Sequence, residues 1–429
     1  MAVCALVATL GSAGVGAAQA QWWVHERLVE GLSIMPSSQY AFVNPFGTAV
    51  FFAVTSTGGN VFVGSRNFSL EVLGGFHSAT PYGVTDDGRP IWTARNHLWV
   101  GETNISQGVT SSVAFVPRQS GLGGHFVFRG WNAGREKVYV GTTDLTTQVL
   151  GEDGRGDFPS APNPSGQVAW RGRSGTDSHW DIFVDGLNVS SFLGPGRYVA
   201  GARLDDSGQV AWIGQSPSTG NRMKVFVGTR DITTESLGVG GEGALDWMNR
   251  RGDVVWRAYH GINRYVMLNT TSISSSVFGQ GRGIQFETLG ISENGRVLWY
   301  AIDESLRQRL FLDDIELGTS VGPDADVGTT GKINGAGHVL WGGGRSDGSA
   351  WGVYYDSFNL SRDALGLDLA LASPLAIGDG GHCLWYVERG TYPYATYDVY
   401  LSTPVPEPGG AMVTALGFLG FLRRARRSA

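Results

Sequence analysis

The chain has 429 residues, of which 65 are glycine, 11% are aromatic and 16% are charged, with a net charge of −6. Glycine at about twice its ordinary ~7% share weighs against long helices, and the aromatic content excludes disorder; many short strands joined by tight turns are expected. Lys and Arg form no block in the body of the chain, which excludes the clustered cations that nucleic acids require.

Residues 1–20 are small and apolar and end in Ala17-Ala18-Gln19-Ala20. Ala18 and Ala20 fit the A-x-A rule for signal peptidase, with Gln21 as the expected mature start. No Lys or Arg precedes the apolar stretch, so the free amino group, or sequence upstream, would supply the positive region. Cys4 would leave with this segment, and Cys383, the other cysteine, is expected to be buried rather than reactive.

The body of the chain repeats. A Gly followed four residues later by Trp or Phe occurs as Gly47/Phe51, Gly88/Trp92, Gly124/Phe128, Gly166/Trp170, Gly208/Trp212, Gly252/Trp256, Gly295/Trp299, Gly337/Trp341 and Gly381/Trp385. Successive glycines lie 36 to 44 residues apart, the range of four-stranded propeller blades. Before the Gly, Asn163-Pro164-Ser165-Gly166, Asp205-Asp206-Ser207-Gly208 and Ser292-Glu293-Asn294-Gly295 have type I turn chemistry. A second motif, Val61-Phe62-Val63-Gly64-Ser65-Arg66-Asn67, returns as Leu98-Trp99-Val100-Gly101 and Val225-Phe226-Val227-Gly228 and reads as a hairpin. In the fifth unit the four strands are expected near 198–203, 209–214, 224–228 and 232–237. The ninth unit stops after Asp398-Val399-Tyr400-Leu401 without a fourth strand, which Arg27–Leu32 could supply, removing both sheet edges. The expected fold is all-β, a β-propeller of about eight or nine four-stranded blades over residues 21–402. The alternatives are a smaller propeller with an appended sheet, or a β-solenoid.

The chain ends with Val405-Pro406-Glu407-Pro408-Gly409-Gly410, an apolar run over 411–422, and Arg423-Arg424-Ala425-Arg426-Arg427. Twelve apolar residues fall short of the ~20 that span a bilayer comfortably, and the Arg cluster is a cytoplasmic stop signal. This tail resembles the PEP-CTERM sorting signal of Gram-negative bacteria. The resemblance implies that an exosortase recognises Pro406, Glu407 and Pro408, that residues 411–422 anchor the chain transiently in the inner membrane, and that Arg423, Arg424, Arg426 and Arg427 hold the tail on the cytoplasmic side. Asn163…Gly166…Ala169-Trp170 resembles the N-x-x-G-x-x-A-F tandem repeats often found with such tails, with Asn44…Gly47…Phe51 and Asn249…Gly252…Trp256 as partial matches. That family implies a propeller-like surface protein and transfers no chemistry.

Candidate chemistry is sparse. The eight His show no zinc spacing; His125, His338 and His382 share one phase after the register Gly and are expected at solvated strand positions. Asp205-Asp206, Asp313-Asp314 and Asp324-Ala325-Asp326 could offer oxygen ligands to calcium, but turn chemistry explains them better. Asn67, Asn104, Asn188, Asn269 and Asn359 open N-x-S/T triplets, four of them in the hairpin phase. No metal, cofactor or catalytic set is expected. The sequence thus points to an exported, non-catalytic surface or extracellular protein, sorted by an exosortase, with a binding or structural role toward envelope polysaccharide or protein. The alternative is a secreted polysaccharide hydrolase or lyase drawing on unit-specific acids such as Asp177, Asp181 and Glu287.

Overall fold

The computed structural model describes residues 22–75, 77–117, 124–175, 177–215, 217–279, 284–302, 307–322, 325–328, 330–345, 351–366, 371–390 and 395–405. The large unit, His25–Ser402, is all-β. A small unit takes in Met1–Val24 and Thr403–Ala429; its described residues, 22–24 and 403–405, are extended.

The nine Gly-centred repeats correspond to nine four-stranded antiparallel groups among the described residues. The fifth shows the plan, with strands Tyr198–Leu204, Val210–Gln215, Lys224–Val227 and Arg230–Asp231. Variations occur at three places. The first and second share a sheet through a short parallel contact, Gly58 with His77 and Gly59 with Ser78. In the eighth the first strand is split into Ala325–Val327 and Lys332–Ile333. In the ninth the outer place beside Thr396–Val405 is taken by Trp22–Leu32, the partner expected from the missing fourth strand. Within that pair the Gly31 N–H donates to Asp398 Oδ1 (2.9 Å), and His25 Nδ1 lies 2.7 Å from Ser402 Oγ. Asp398, 1% exposed, also pairs with Arg389 and Arg27.

The register Gly closes the turn between first and second strands. The Gly208 N–H donates to the Asp205 carbonyl, and the Asp205 N–H to the Gln209 carbonyl. Gly208 has φ +87°, which a side chain would strain. The turns also join unit to unit: Asn163, Asn249 and Asn334 donate Nδ2–H to the carbonyls of Asp205, Ser292 and Gly378, and Asn44 to Thr85. Each Asn therefore caps its own turn and ties the next.

The second-strand aromatic forms the core. Trp92, Trp170, Trp212, Trp256, Trp299, Trp341 and Trp385 are wholly buried, as are Phe51 and Phe128. Each indole stacks on or pairs with its third-strand neighbour, Trp212 on Phe226 and Trp299 on Phe311 at centroid separations of 4.6 and 4.5 Å. Its N–H reaches the carbonyl at the following hairpin, as Trp212 does to Gly228 (2.8 Å) and Trp256 to Asn269 (2.7 Å), except at Trp385, which donates to Ser402 Oγ (2.7 Å). At those hairpins Asp185, Asn269, Asp313 and Asp356 take left-handed φ where other units use Gly, and their Oδ1 atoms accept the first N–H of the second strand.

One expected strand is a helix. Ile232–Leu237 is α-helical, and the fourth strand of the fifth unit is only Arg230–Asp231. Asp231 accepts from the Thr234 N–H as N-cap, and Gly238 ends the turn. Helices over 68–73, 145–150 and 360–365 repeat the arrangement. The β-branched pair Ile232-Thr233 suggested a strand, whereas Asp231 caps a helix that begins at Ile232.

Candidate functional site

The N-x-S/T triplets have a structural reason. Ser69, Ser106, Ser190, Ser274 and Ser361, with Thr146 and Thr233, are at most 1% exposed, and each hydroxyl accepts the N–H of a third-strand residue, as Thr233 does from Val225 (2.8 Å). The Asn or Asp two residues earlier (Ser272 in the sixth unit) caps the helix or turn, as Asn67, Asn359 and Asp231 do. Asn269, out of phase, serves the hairpin described above.

The other candidates disperse. Asp205 accepts from the Gln209 N–H inside its turn, and Asp313 from Val297, both as turn residues. Asp326 lies instead in the strand Ala325–Val327, and Asp324 is outside the described residues. His338 is solvated beside Asp356 (2.8 Å), but His125 and His382 are not simply solvated. Their rings cover the register glycines of following units: a Cβ on Gly166 would lie 2.8 Å from His125, and one on Gly47 2.8 Å from His382. Cys383 is buried, and burial pushes its thiol well above the ordinary range. Among the described residues no three His, Cys, Asp or Glu side chains gather as metal ligands. Ala18, Ala20, Pro406, Glu407, Pro408, Arg423, Arg424, Arg426 and Arg427 lie outside the described residues.

A cleft of about 200 Å³ opens between the sixth and seventh units. Strands Val254–His260 and Asn263–Leu268 contribute Arg257, Tyr259, Arg264 and Tyr265; Gln285–Ile291 and Val297–Ile302 contribute Gln285, Glu287 and Tyr300. Arg257 is held from behind by Asp246 at 2.9 and 3.0 Å, and Thr288 Oγ1 donates to the same carboxylate (2.8 Å). Burial pushes the Asp246 carboxyl up, with Arg257 opposing it. The Tyr300 hydroxyl donates to Glu287; burial first, then this bond, raises the phenol to about 12. The wall therefore presents tyrosine rings, guanidinium N–H groups and one carboxylate, a set able to stack on a ring face and to bond hydroxyls.

Of the acids singled out in sequence, only Glu287 lies in this cleft. Asp177 binds the backbone N–H and ring of His179, and Asp181 in the same unit is taken by Arg197 and Ser190. Arg257 and Tyr300 escaped sequence reading because they alternate with core residues. One signal was available: the residue after the register aromatic varies widely, from Thr93 and Ile213 to Arg129, Arg171, Arg257 and Tyr300.

No known protein family matches the chain, and no curated protein does. Among solved structures it is similar to a puromycin-hydrolysing peptidase of Mycobacterium tuberculosis, at 12% identity and a TM-score of 0.32. That likeness covers 86% of this chain and 57% of the peptidase chain, so the chain spans little more than half of that structure. It is also similar to the N-terminal domain of Nup159, at 11% identity and a TM-score of 0.24, over 88% of this chain and 95% of that one.

Proposed function

We propose that this is an exported, non-catalytic binding protein, a nine-bladed propeller sorted to the cell surface by an exosortase-type enzyme and directed at envelope or extracellular polysaccharide. The order of Pro406-Glu407-Pro408, apolar run and Arg cluster carries the reading of its destination. The propeller reading rests on the ninth unit meeting the first by the rule that joins the others. His382 lies over Gly47, and Leu375, Ala376 and Leu384 share one core with Ala49, Phe51 and Phe62. A binding role is favoured over catalysis because the acids at the cleft are engaged, Glu287 by Tyr300 and Asp246 by Arg257 and Thr288.

Fractionation and intact-mass measurement of the chain, expressed in an exosortase-bearing Gram-negative host, test the destination. The expected surface form starts at Gln21 and lacks the tail beyond the Pro406 region, while replacing Pro406, Glu407 and Pro408 by Ala strands the chain at the inner membrane. A surface form that retains residues 411–429 would overturn the sorting reading.

A further inference from the structure

Phe158 follows the strand Arg155–Asp157 of the fourth unit and precedes Pro159. Its φ is +43°, although bulky residues avoid the left-handed region and the position before proline favours extended backbone. The ring is nevertheless 51% exposed. Strain kept at an exposed aromatic is unusual for a purely structural residue and is common at binding sites.

Around this ring stands a ladder of alternating aromatics and cations. The Arg171 guanidinium lies 4.9 Å from the Phe158 ring and 4.5 Å from the Trp180 ring, and Arg173 lies 4.9 Å from Trp180. Asp157 fixes Arg171 with two bonds of 2.7 and 2.6 Å, and Arg129, 5.7 Å from Phe158, is paired with Glu136. These two cations are therefore compensated.

Arg155 and Arg173 are not. The strand register sets them directly opposite each other, on one face with Asp157 and Arg171. Like charges at such a pair repel. Among the described residues no carboxylate forms an ion pair with either; Asp153 is paired with Arg135, and Asp177 binds His179. The protein as a whole carries −6, so two adjacent uncompensated cations beside aromatic faces form a local site rather than part of a basic surface.

We propose that this face binds an acidic polysaccharide, with a uronate carboxylate between Arg155 and Arg173 and the sugar ring against Trp180 and Phe158. An anion there relieves the repulsion of the two guanidiniums, and the flat rings suit the C–H face of a pyranose. The inference rests on the polysaccharide-binding reading and narrows it to uronate-bearing chains.

The test titrates the purified full chain with tetragalacturonate, maltotetraose and a thymidine oligonucleotide. Tetragalacturonate is expected to bind and to raise the Tm, with maltotetraose at least about 10-fold weaker. Arg155→Gln and Arg173→Gln should each weaken tetragalacturonate about 10-fold, and Phe158→Ala several-fold. Arg155→Gln should also raise the Tm of the free protein, because one of two repelling charges is gone; a structural role would lower it. Equal affinity for maltotetraose, oligonucleotide binding as tight as tetragalacturonate, or variants that bind normally would overturn the assignment. Such failures would leave the sorting reading untouched, since that is read from the C-terminal mass.

Discussion

At the residue scale, each repeated side chain is selected by one backbone group that it must satisfy. The second-strand aromatic could be Phe, as at Phe51 and Phe128, wherever only apolar volume is needed. Trp adds an N–H that reaches a hairpin carbonyl. Trp212→Phe is therefore expected to cost about 1–2 kcal/mol, for the lost Gly228 bond and some packing. Trp212→Ala should cost about 3–5 kcal/mol, since it also opens a cavity against Phe226. Urea denaturation of the two variants separates these contributions, and equal losses would refute the role given to the indole N–H.

The element scale explains why a two-residue fourth strand suffices. Its hydrogen-bonding work passes to the following Ser or Thr, whose hydroxyl takes the N–H that a longer strand would have paired. The sequence displayed this device in part as N-x-S/T triplets, for which turn chemistry already sufficed; the buried hydroxyls add a structural role for the Ser or Thr. Thr233→Val keeps the shape and removes the acceptor, leaving the Val225 N–H buried and unpaired. The expected loss is about 1–3 kcal/mol by chemical denaturation, against a much smaller change for Thr233→Ser. If Ser is no better than Val, the hydroxyl does not do what is assigned to it. The same scale held the misread segment: the β-branched pair Ile232-Thr233 suggested a strand, and Asp231 is instead the N-cap of a helix.

For the whole molecule, the ninth unit packs against the first. Backbones touch there: a Cβ on Gly380 would lie 2.1 Å from the Pro45 carbonyl oxygen, which glycine alone permits. His382 covers Gly47 at the same place, and burial lowers its pKa below the ordinary value of about 6.5. The folded state then resists a proton that the unfolded chain accepts, so stability is unaffected above pH ~6.5 and falls as pH drops below it. The midpoint of urea unfolding should therefore decrease from pH 7 to pH 5, and His382→Gln should remove part of that decrease. A pH dependence identical in the variant would show that protonation of His382 does not weaken the junction.

The sequence by itself determined the repeat, the turn glycines and the core aromatics, and it offered an N-terminal strand as a partner for the ninth unit. All of these follow from local periodicity and from a count of strands, and local patterns need no knowledge of neighbours. Tertiary structure alone decided which variable positions meet. Arg257, Asp246, Glu287 and Tyr300 gather across two units, and Phe158, Arg155, Arg173 and Trp180 gather on one face, from places where the repeat imposes no residue type. Most occupy a strand position or strand end that alternation marks only as non-core, while Trp180 falls in phase with Ile182 and Val184 and packs against their cluster. Their proximity depends on strand register and on packing between units, which a linear pattern does not encode.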